Sequence, residues 1–524
     1  MADKFYITTP IYYVNAAPHI GHSYTNIVAD VAARFYRMKG VDTYFLTGTD
    51  EHGQKVEKAA QKSGKPTKDF VDELSGHFRK LWDDLNVRPD DFIRTTEERH
   101  IRAVRYVLSN LYEKGDIYKD SYTGWYCLPC EVFLTDNQIE QIDGRVVCPD
   151  CHRPVDQLTE ENYFFRMSKY QDWLIGFLSD RPDFIKPQSR FNEVMSFLEN
   201  EKLADLCISR PKSRFEWGIE LPFSNGHITY VWFDALINYI SALGYPNTDG
   251  VFNRYWPADV HLIGKDILRQ HAVYWPIMLH ALGLDIPKQI IAHGWWLVDK
   301  KGQAEKMSKS RGNIVDPYAM IEEFGLDVYR FFLLREIPLG IDGMFSYESV
   351  LKRYNGDLAN DLGNLTYRVM SMAEKYLKDG VVKFEEMPKN SLTDGLFELK
   401  EKVDIEFSGL NFYSGLSYIW EVINIANKFI EEEQPWTMRR EGRTEDLKRF
   451  MYTLLEAIRI IALCIYPVMP QTSEKICQQL SLDPVFEPNM WEVSFVWGVI
   501  EDGAKLEKLP PLFPRREEDE IVSD

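Results

Sequence analysis

Two histidines flank an isoleucine and a glycine at His19-Ile20-Gly21-His22, shortly after a strand-like run that ends at Pro10. The residues from His22 to Lys39 have helical periodicity, so the motif stands where a helix begins. A helix N-terminus offers unpaired N–H groups and the positive end of its dipole, which suits phosphate. Two imidazoles there can donate hydrogen bonds to a phosphate chain, and Gly21, lacking a Cβ, lets a flat adenine ring lie against the backbone. Far along the chain, Lys306-Met307-Ser308-Lys309-Ser310 lies between Gly302 and Gly312, in a stretch expected to move. Two lysines there would close over a triphosphate and offset charge at the α-phosphate as pyrophosphate leaves. A third constellation is Cys127-Leu128-Pro129-Cys130 with Cys148-Pro149-Asp150-Cys151, the spacing of a zinc ribbon or knuckle. Four thiolates close a tetrahedral shell, so such a zinc would be structural and hold its segment together. Each motif has a plainer reading: surface histidines near a turn, a solvated lysine loop, a redox cysteine pair. The first two motifs in this order, and the matched pairing of the cysteines, favour the chemical readings.

These residues need a scaffold, and the chain is large enough to supply one. At roughly 150 residues per domain, 524 residues make about three or four domains. Hydrophobic residues at 45% and charged residues at 27% supply several cores and exclude a mainly disordered chain. The formal net charge of −19 excludes a general basic surface for phosphate backbones, although a local basic strip with aromatic stacking can still read RNA. The N-terminus lacks the basic start and apolar run of a secretory signal. The longest apolar run, Ile460 to Met469, is far short of the ~20 residues that span a bilayer. A soluble, cytoplasmic protein is the expectation. Cys207, Cys464 and Cys477 lie in apolar surroundings and are expected to be inert core thiols.

The first hundred residues alternate strand and helix patterns, which implies βα units and a mainly parallel sheet. Strands are expected at Lys4 to Thr9, Thr43 to Thr47 and Phe92 to Arg94, with helices at His22 to Lys39, Glu51 to Ser63 and Glu97 to Gly115. The pattern breaks from Asp116 to Phe223, where the paired cysteines fall, and that segment reads as an insertion. Asn225 to Ser241, Val260 to Leu282 and Gln289 to His293 read as the remaining units of the same sheet. Beyond Asp361 strands nearly vanish, and Thr393 to Phe407, Tyr413 to Glu431 and Thr444 to Leu463 predict an all-α bundle. The fold class is thus α/β with a Rossmann-type parallel sheet, split by a zinc-binding insertion and followed by a helical domain.

With these segments in place, the sequence resembles the class I aminoacyl-tRNA synthetases, whose two signatures look like His19-Ile20-Gly21-His22 and Lys306 to Ser310. The resemblance covers nearly the whole chain and is closest to the methionyl-tRNA synthetase family. It is carried by Thr8 to Asn15, Thr47-Gly48-Thr49-Asp50-Glu51-His52-Gly53, Tyr230-Val231-Trp232-Phe233-Asp234-Ala235 and Gly264-Lys265-Asp266-Ile267. The resemblance implies activation of L-methionine by ATP and transfer of the methionyl group to initiator and elongator tRNA(Met), the activity of a methionine–tRNA ligase (EC 6.1.1.10), with Mg²⁺ shared among the phosphates. It implies catalytic roles for His19, His22, Lys306 and Lys309, and ATP contacts from these with Gly21, Gly264, Asp266, Met307 and Ser308. Asp50, at the ligand edge of the sheet, would bind the substrate's ammonium group. Ile11, Tyr13, Trp232, Ala235, Leu236, Tyr239 and His271 would enclose the methionine side chain, a soft thioether favoured against aromatic rings. Leu236 stands where another branch of the family has proline. Asn15, Lys265 and His293 fall near the expected site. Asn364, Arg368 and Trp436 match anticodon-reading positions, where Arg and Asn bond base edges and an indole stacks on a splayed base.

The resemblance divides the chain into a Rossmann half at 1–115, a connective insertion with a zinc knuckle at 116–224 and a second Rossmann half at 225–300. A lysine-loop and stem-contact region at 301–362, a helical anticodon-binding domain at 363–513 and a charged tail at 514–524 follow. Synthetases for isoleucine, leucine and valine carry a much longer editing insertion than fits between Gly115 and Asn225. A cysteine enzyme would place zinc in the amino-acid pocket instead. A non-catalytic RNA-binding relative gives no reason to keep the histidines, lysines and Asp50 together, and a small nucleotidyltransferase gives none for the cysteines and the helical domain. The expectation is that the chain ends at the helical domain, without the C-terminal RNA-binding module of some relatives, and hence that it is a monomer.

Overall fold

A computed structural model describes residues 4–14, 18–127, 132–134, 138–142, 144–149, 151–300, 303–306, 315–483 and 488–517. Its centre is a six-stranded sheet in the order Asp91–Arg94, Asp42–Asp50, Lys4–Tyr13, Val260–Gly264, Gln289–His293, Ile185–Lys186, with every neighbouring pair parallel. Successive side chains of a strand point to opposite faces, and the burial follows that alternation. Ile7, Phe45, Leu262 and Ile291 enter one core, while Tyr6, Leu46, Ile263, Ile290 and Ala292 enter the other. Both faces are therefore covered, as a parallel sheet requires.

The helix Ile20–Met38 buries Ile27, Val28, Val31 and Phe35 on the first face. Its outer side meets the helical domain, where Phe35 lies edge-on to Phe407 and Trp491 at centroid distances of 5.4 and 4.9 Å. One core thus runs from the sheet into the bundle of Ser391–Ser408, Phe412–Glu433 and Thr444–Ile465. The expected helices of that domain are present with ends shifted by a few residues.

The structure departs from the sequence reading in several places. The first strand does not stop at Pro10 but continues to Tyr13, with a register shift between Thr8 and Ile11 that accommodates a residue unable to donate to the ladder. The strand Ser224–Thr229 does not join the parallel sheet. It pairs antiparallel with Ser209–Pro211 and Glu220–Leu221 in a sheet of its own. The sixth parallel strand comes instead from Ile185–Lys186, inside the segment read as an insertion. The helix Thr67–Asp84, not foreseen, buries Val71, Phe78, Leu81 and Trp82.

A buried charge joins these parts. Arg330, on the helix Leu326–Arg335, is fully buried and pairs with Asp30 of Ile20–Met38 at 2.7 Å. It also donates to the carbonyls of Val468, Pro467 and Leu85 at 2.9, 3.0 and 3.1 Å. Burial opposes ionisation of Asp30, but the charges of Arg34 and Arg330 prevail and hold its carboxyl below the usual range. Removing one partner of a buried pair leaves the other charge uncompensated. Asp30→Ala should therefore lower stability by about 3–5 kcal/mol, read as a lower thermal unfolding midpoint. A midpoint equal to the parent's would show that Arg330 is satisfied without Asp30.

Candidate active site

The histidine motif opens the helix Ile20–Met38, as its position after a strand implied. His19 is the N-cap: its Nδ1 accepts from the Gly21 N–H at 3.1 Å, and Nδ1 of His22 accepts from the His19 N–H at 3.1 Å. The pair forms a reciprocal capping box with imidazoles in place of the usual hydroxyl and carboxylate. A neutral ring that accepts at Nδ1 carries its proton at Nε2, so both rings hold an N–H donor on the side away from the helix backbone. The rings lie 3.9 Å apart. His22 is further walled by Tyr12 at 4.8 Å and Phe78 at 5.5 Å, the latter from the unforeseen helix. Gly21 has a local reason to be glycine: a Cβ there would come within 3.0 Å of the His19 ring.

The carboxyl ends of the central strands lie beside this helix, the usual ligand edge of an open parallel sheet. Asp50 is the last residue of Asp42–Asp50, buried, and in register with Tyr13. Gly48, just before it, has no room for a side chain, since a Cβ would lie 2.0 Å from the Ile93 carbonyl oxygen. Gly264 ends Val260–Gly264 opposite His293. The Asp266 carboxylate folds back over Gly264, where a Cβ would come within 2.6 Å of Oδ1, and that oxygen accepts from Trp295 Nε1 at 3.2 Å. His293, made less basic by burial, sits 2.8 Å from Thr25 Oγ1 and so ties the sheet edge to the histidine helix. Lys265 pairs with Asp342 at 2.6 Å.

Trp232, Ala235 and Leu236 occupy the short helix Val231–Leu236 at positions i, i+3 and i+4, which share one face. Ile11 and Leu236 pack in the same core as Tyr239. Tyr13 does not join them; it packs against the other core, with Lys55 Nζ 5.7 Å from its ring. Burial pulls His271 down to about 4, so the ring is neutral near pH 7. Its Nδ1 donates to the Ile267 carbonyl at 2.9 Å, and its Nε2 accepts from the Tyr239 hydroxyl at 2.7 Å. The pair is a polar but uncharged wall. Behind it, the buried His261 lies 4.2 Å from the Tyr239 ring and accepts from Trp275 Nε1 at 3.1 Å.

Sequence reasoning assigned no role to His52, His100 or Asp234, which meet in the interior. Asp234 is fully buried, with His52 Nδ1 and His100 Nε2 each 2.7 Å from its carboxylate. Burial would raise this carboxyl, but the charge of His52 and the hydrogen bonds from both rings hold it at about 2. His52 and Asp234 fell inside quoted motifs. His100 carried no signal, because its partners come from a segment distant in sequence.

The sulfurs of Cys127, Cys148 and Cys151 lie within 4.8 Å of one another, and those of Cys127 and Cys151 are 3.5 Å apart. A disulfide would need about 2.05 Å, whereas thiolates on a tetrahedral zinc, at ~2.3 Å from the metal, sit roughly 3.8 Å apart. The described sulfurs thus fit a metal, and Cys130 lies outside the described residues. Cys464 and Cys477 are buried thiols whose ionisation burial opposes, as expected. Cys207 is only half-buried, with its sulfur 3.1 Å from Arg210 Nη1, which corrects its reading as a core thiol. Lys306 ends the strand Gln303–Lys306, which pairs with Trp296–Lys300; its side chain and Met307, Ser308, Lys309, Ser310 and Asn15 lie outside the described residues. In the helical domain, Asn364 opens the helix Asn364–Tyr376 and is exposed. Arg368 pairs with Glu431 at 2.5 Å, near the end of the helix that precedes Trp436. Trp436 is 46% exposed, so it does not plug the bundle.

Known proteins match this arrangement over its whole length. The model of the family described as "tRNA synthetases class I (M)" matches residues 5–370, and that of "Anticodon-binding domain of tRNA ligase" matches residues 391–508. The methionine–tRNA ligase of Clostridium acetobutylicum is 47% identical over 99% of this chain and 79% of its own length, and that of Bacillus subtilis is 43% identical over the same shares. The structure of Mycobacterium tuberculosis methionyl-tRNA synthetase in complex with methionyl-adenylate superposes with a TM-score of 0.91 at 42% identity, covering 98% of this chain and all of that one. With a family model over residues 5–370 and relatives 43–47% identical over nearly the whole chain, the chain belongs to the methionyl-tRNA synthetases of class I.

Proposed function

We propose that the protein joins L-methionine to ATP as methionyl-adenylate, releasing pyrophosphate, and then passes the methionyl group to the terminal 2′-hydroxyl of initiator and elongator tRNA(Met). The carrying observation is the convergence, at one sheet edge, of a histidine-capped helix N-terminus, the Asp50 carboxylate and the uncharged Tyr239–His271 pair. Asp50 takes the ammonium group of methionine. The Tyr239 hydroxyl, fixed by neutral His271, meets the thioether without setting a charge against it, and Ile11, Trp232, Ala235 and Leu236 supply apolar walls. Tyr13 closes the entrance beside Asp50.

The methionine carboxylate attacks the α-phosphorus and the bond to pyrophosphate breaks, so no protein nucleophile or strong general base is required. Catalysis is positioning and charge stabilisation. The Nε2–H groups of His19 and His22 donate to phosphate oxygens at the positive end of the helix. Gly264 and Asp266 hold the ribose, and Gly21 lies under the adenine. Lys306 and Lys309, with Met307 and Ser308 between them, cover the phosphates, and Mg²⁺ arrives with ATP. Asn364, Arg368 and Trp436 read the anticodon, a reading supported by the exposure of Trp436. One zinc per chain, held by Cys127, Cys130, Cys148 and Cys151, would fix the knuckle as a structural ion. No described helix is long and apolar enough to cross a membrane. Reduced, metal-disposed cysteines support a cytoplasmic setting. We read the protein as a monomer.

Pyrophosphate exchange into ATP, run with each of the twenty amino acids and without tRNA, should occur with methionine alone. Absence of exchange in a preparation that still binds tRNA would sink the proposal. Asp50→Ala should weaken methionine binding by about tenfold or more, the scale of a lost ion pair to a buried carboxylate, while sparing ATP. Lys309→Ala should slow adenylate formation more than it raises either KM, the mark of a contact made in the transition state; a change in KM alone would make it a ground-state binder. Metal analysis of a chain sedimenting near 61.3 kDa should find one zinc, lost in Cys148→Ser. A mass near twice that value would overturn the monomer, and a metal-free native protein would overturn the zinc site.

A further inference from the structure

The proposed methionine pocket is built from segments far apart in sequence, and one carboxylate connects them. Asp234 lies on the helix that carries Trp232, Ala235 and Leu236. Through Oδ2 it meets Nδ1 of His52, two residues beyond Asp50, at 2.7 Å. Through Oδ1 it meets Nε2 of His100 at 2.7 Å, and Nδ1 of His100 lies 2.8 Å from Ser241 Oγ, two residues beyond Tyr239. The ammonium-binding edge, the apolar wall and the thioether-facing tyrosine therefore share one buried anion.

The Asp50 loop is held from its other side by a separate set of contacts. The Glu51 carboxylate takes Arg94 Nε and Nη2 at 2.6 and 2.9 Å, the Thr49 hydroxyl at 2.7 Å and the Thr96 hydroxyl at 2.5 Å. Those bonds fasten the loop to the strand Asp91–Arg94 and its continuation, but not to the pocket helix. Between the loop and that helix, Asp234 is the charged link, and both imidazoles have their N–H directed at it. Charge-assisted hydrogen bonds in a site without water are the strong ones, and a half-broken network costs more than none.

We propose that Asp234 is a positioning residue for methionine: clamped by His52 and His100, it sets the spacing between Asp50 and the Trp232–Tyr239 wall, and so the fit of the amino acid, without touching it. The inference rests on the pocket assigned above. The histidine-capped helix, Gly264 and Asp266 hang on other elements, so ATP binding is independent of the clamp.

The test is pyrophosphate-exchange kinetics of the full chain with methionine and ATP varied separately. Asp234→Asn and His100→Ala should each raise the methionine KM by about tenfold, the scale of one charge-assisted hydrogen bond lost in the interior, and leave the ATP KM unchanged. His100→Gln, whose amide nitrogen can stand for Nε2–H, should restore the methionine KM. His52→Leu breaks the clamp from its other end and serves where His100→Ala does not fold. A methionine KM equal to the parent's in the breaking variants, a parallel rise in both KM values, or no recovery in His100→Gln would overturn the proposal. Asp50→Ala and Trp232→Ala separate the two readings. If they too leave the methionine KM unchanged, the pocket assignment falls and the clamp with it; if they raise it while the clamp variants do not, only the clamp falls.

Discussion

The histidine-capped helix is tied to the helical domain by a guanidinium shut away from solvent. Arg330 must find protein partners for its N–H groups, and it finds them on the histidine-capped helix, in the turn after Thr444–Ile465 and at the end of Thr67–Asp84. A buried ion pair gains little over a well-packed apolar core, but its geometry is exacting. Sliding any one of these elements would strand a charge. The helix that begins with His19 is thereby fixed at its middle, and the donors at its tip inherit that precision.

At the tip, structure and chemistry use the same atoms. The imidazoles of His19 and His22 cap the helix through Nδ1, which settles which nitrogen bears the proton. A helix start capped by serine or aspartate would be equally well satisfied but would present no outward N–H. Placing the cap and the donor on opposite nitrogens of one ring lets the helix start meet an anion through neutral donors. The pocket follows the same economy of charge. Its His271 is kept neutral by burial, so the tyrosine it orients meets an uncharged ligand atom on equal terms.

Much of this was legible in the sequence because it is local. A motif at a helix start, paired cysteines and runs of helical periodicity each announce themselves within a few residues, and the bundle helices, the cluster of cysteines and the helix that opens at the histidines follow from them. What could not be read was set by pairing at a distance. Nothing near Ser224–Thr229 says that it pairs antiparallel in a small sheet, because its alternation fits either kind of ladder. Ile185–Lys186 is too short to show any period, yet it closes the parallel sheet. His100 looks like any helix histidine until the chain brings Asp234 to it. Tyr13 and Ile11 stand two apart on one strand, the spacing of same-face neighbours, yet they pack against different cores.

The order of strands also governs how the chain can be made. Lys4–Tyr13, the earliest of the six sheet strands in sequence, sits in the middle of the sheet, between Asp42–Asp50 and Val260–Gly264. Only one of its edges can be filled early; the other stays bare until the chain has grown past Gly264, and Ile185–Lys186 then waits in turn for Gln289–His293. A half-made molecule leaving the ribosome therefore exposes an apolar strand edge until about half of the chain has been made, the condition under which nascent chains associate wrongly. The antiparallel pair Ile117–Cys127 with Asp156–Phe165, closed over a short stretch of sequence, is by contrast free to form at once. The cysteine-bearing segment thus has the contacts to be finished before the catalytic sheet into which it is inserted, which waits for Gln289–His293.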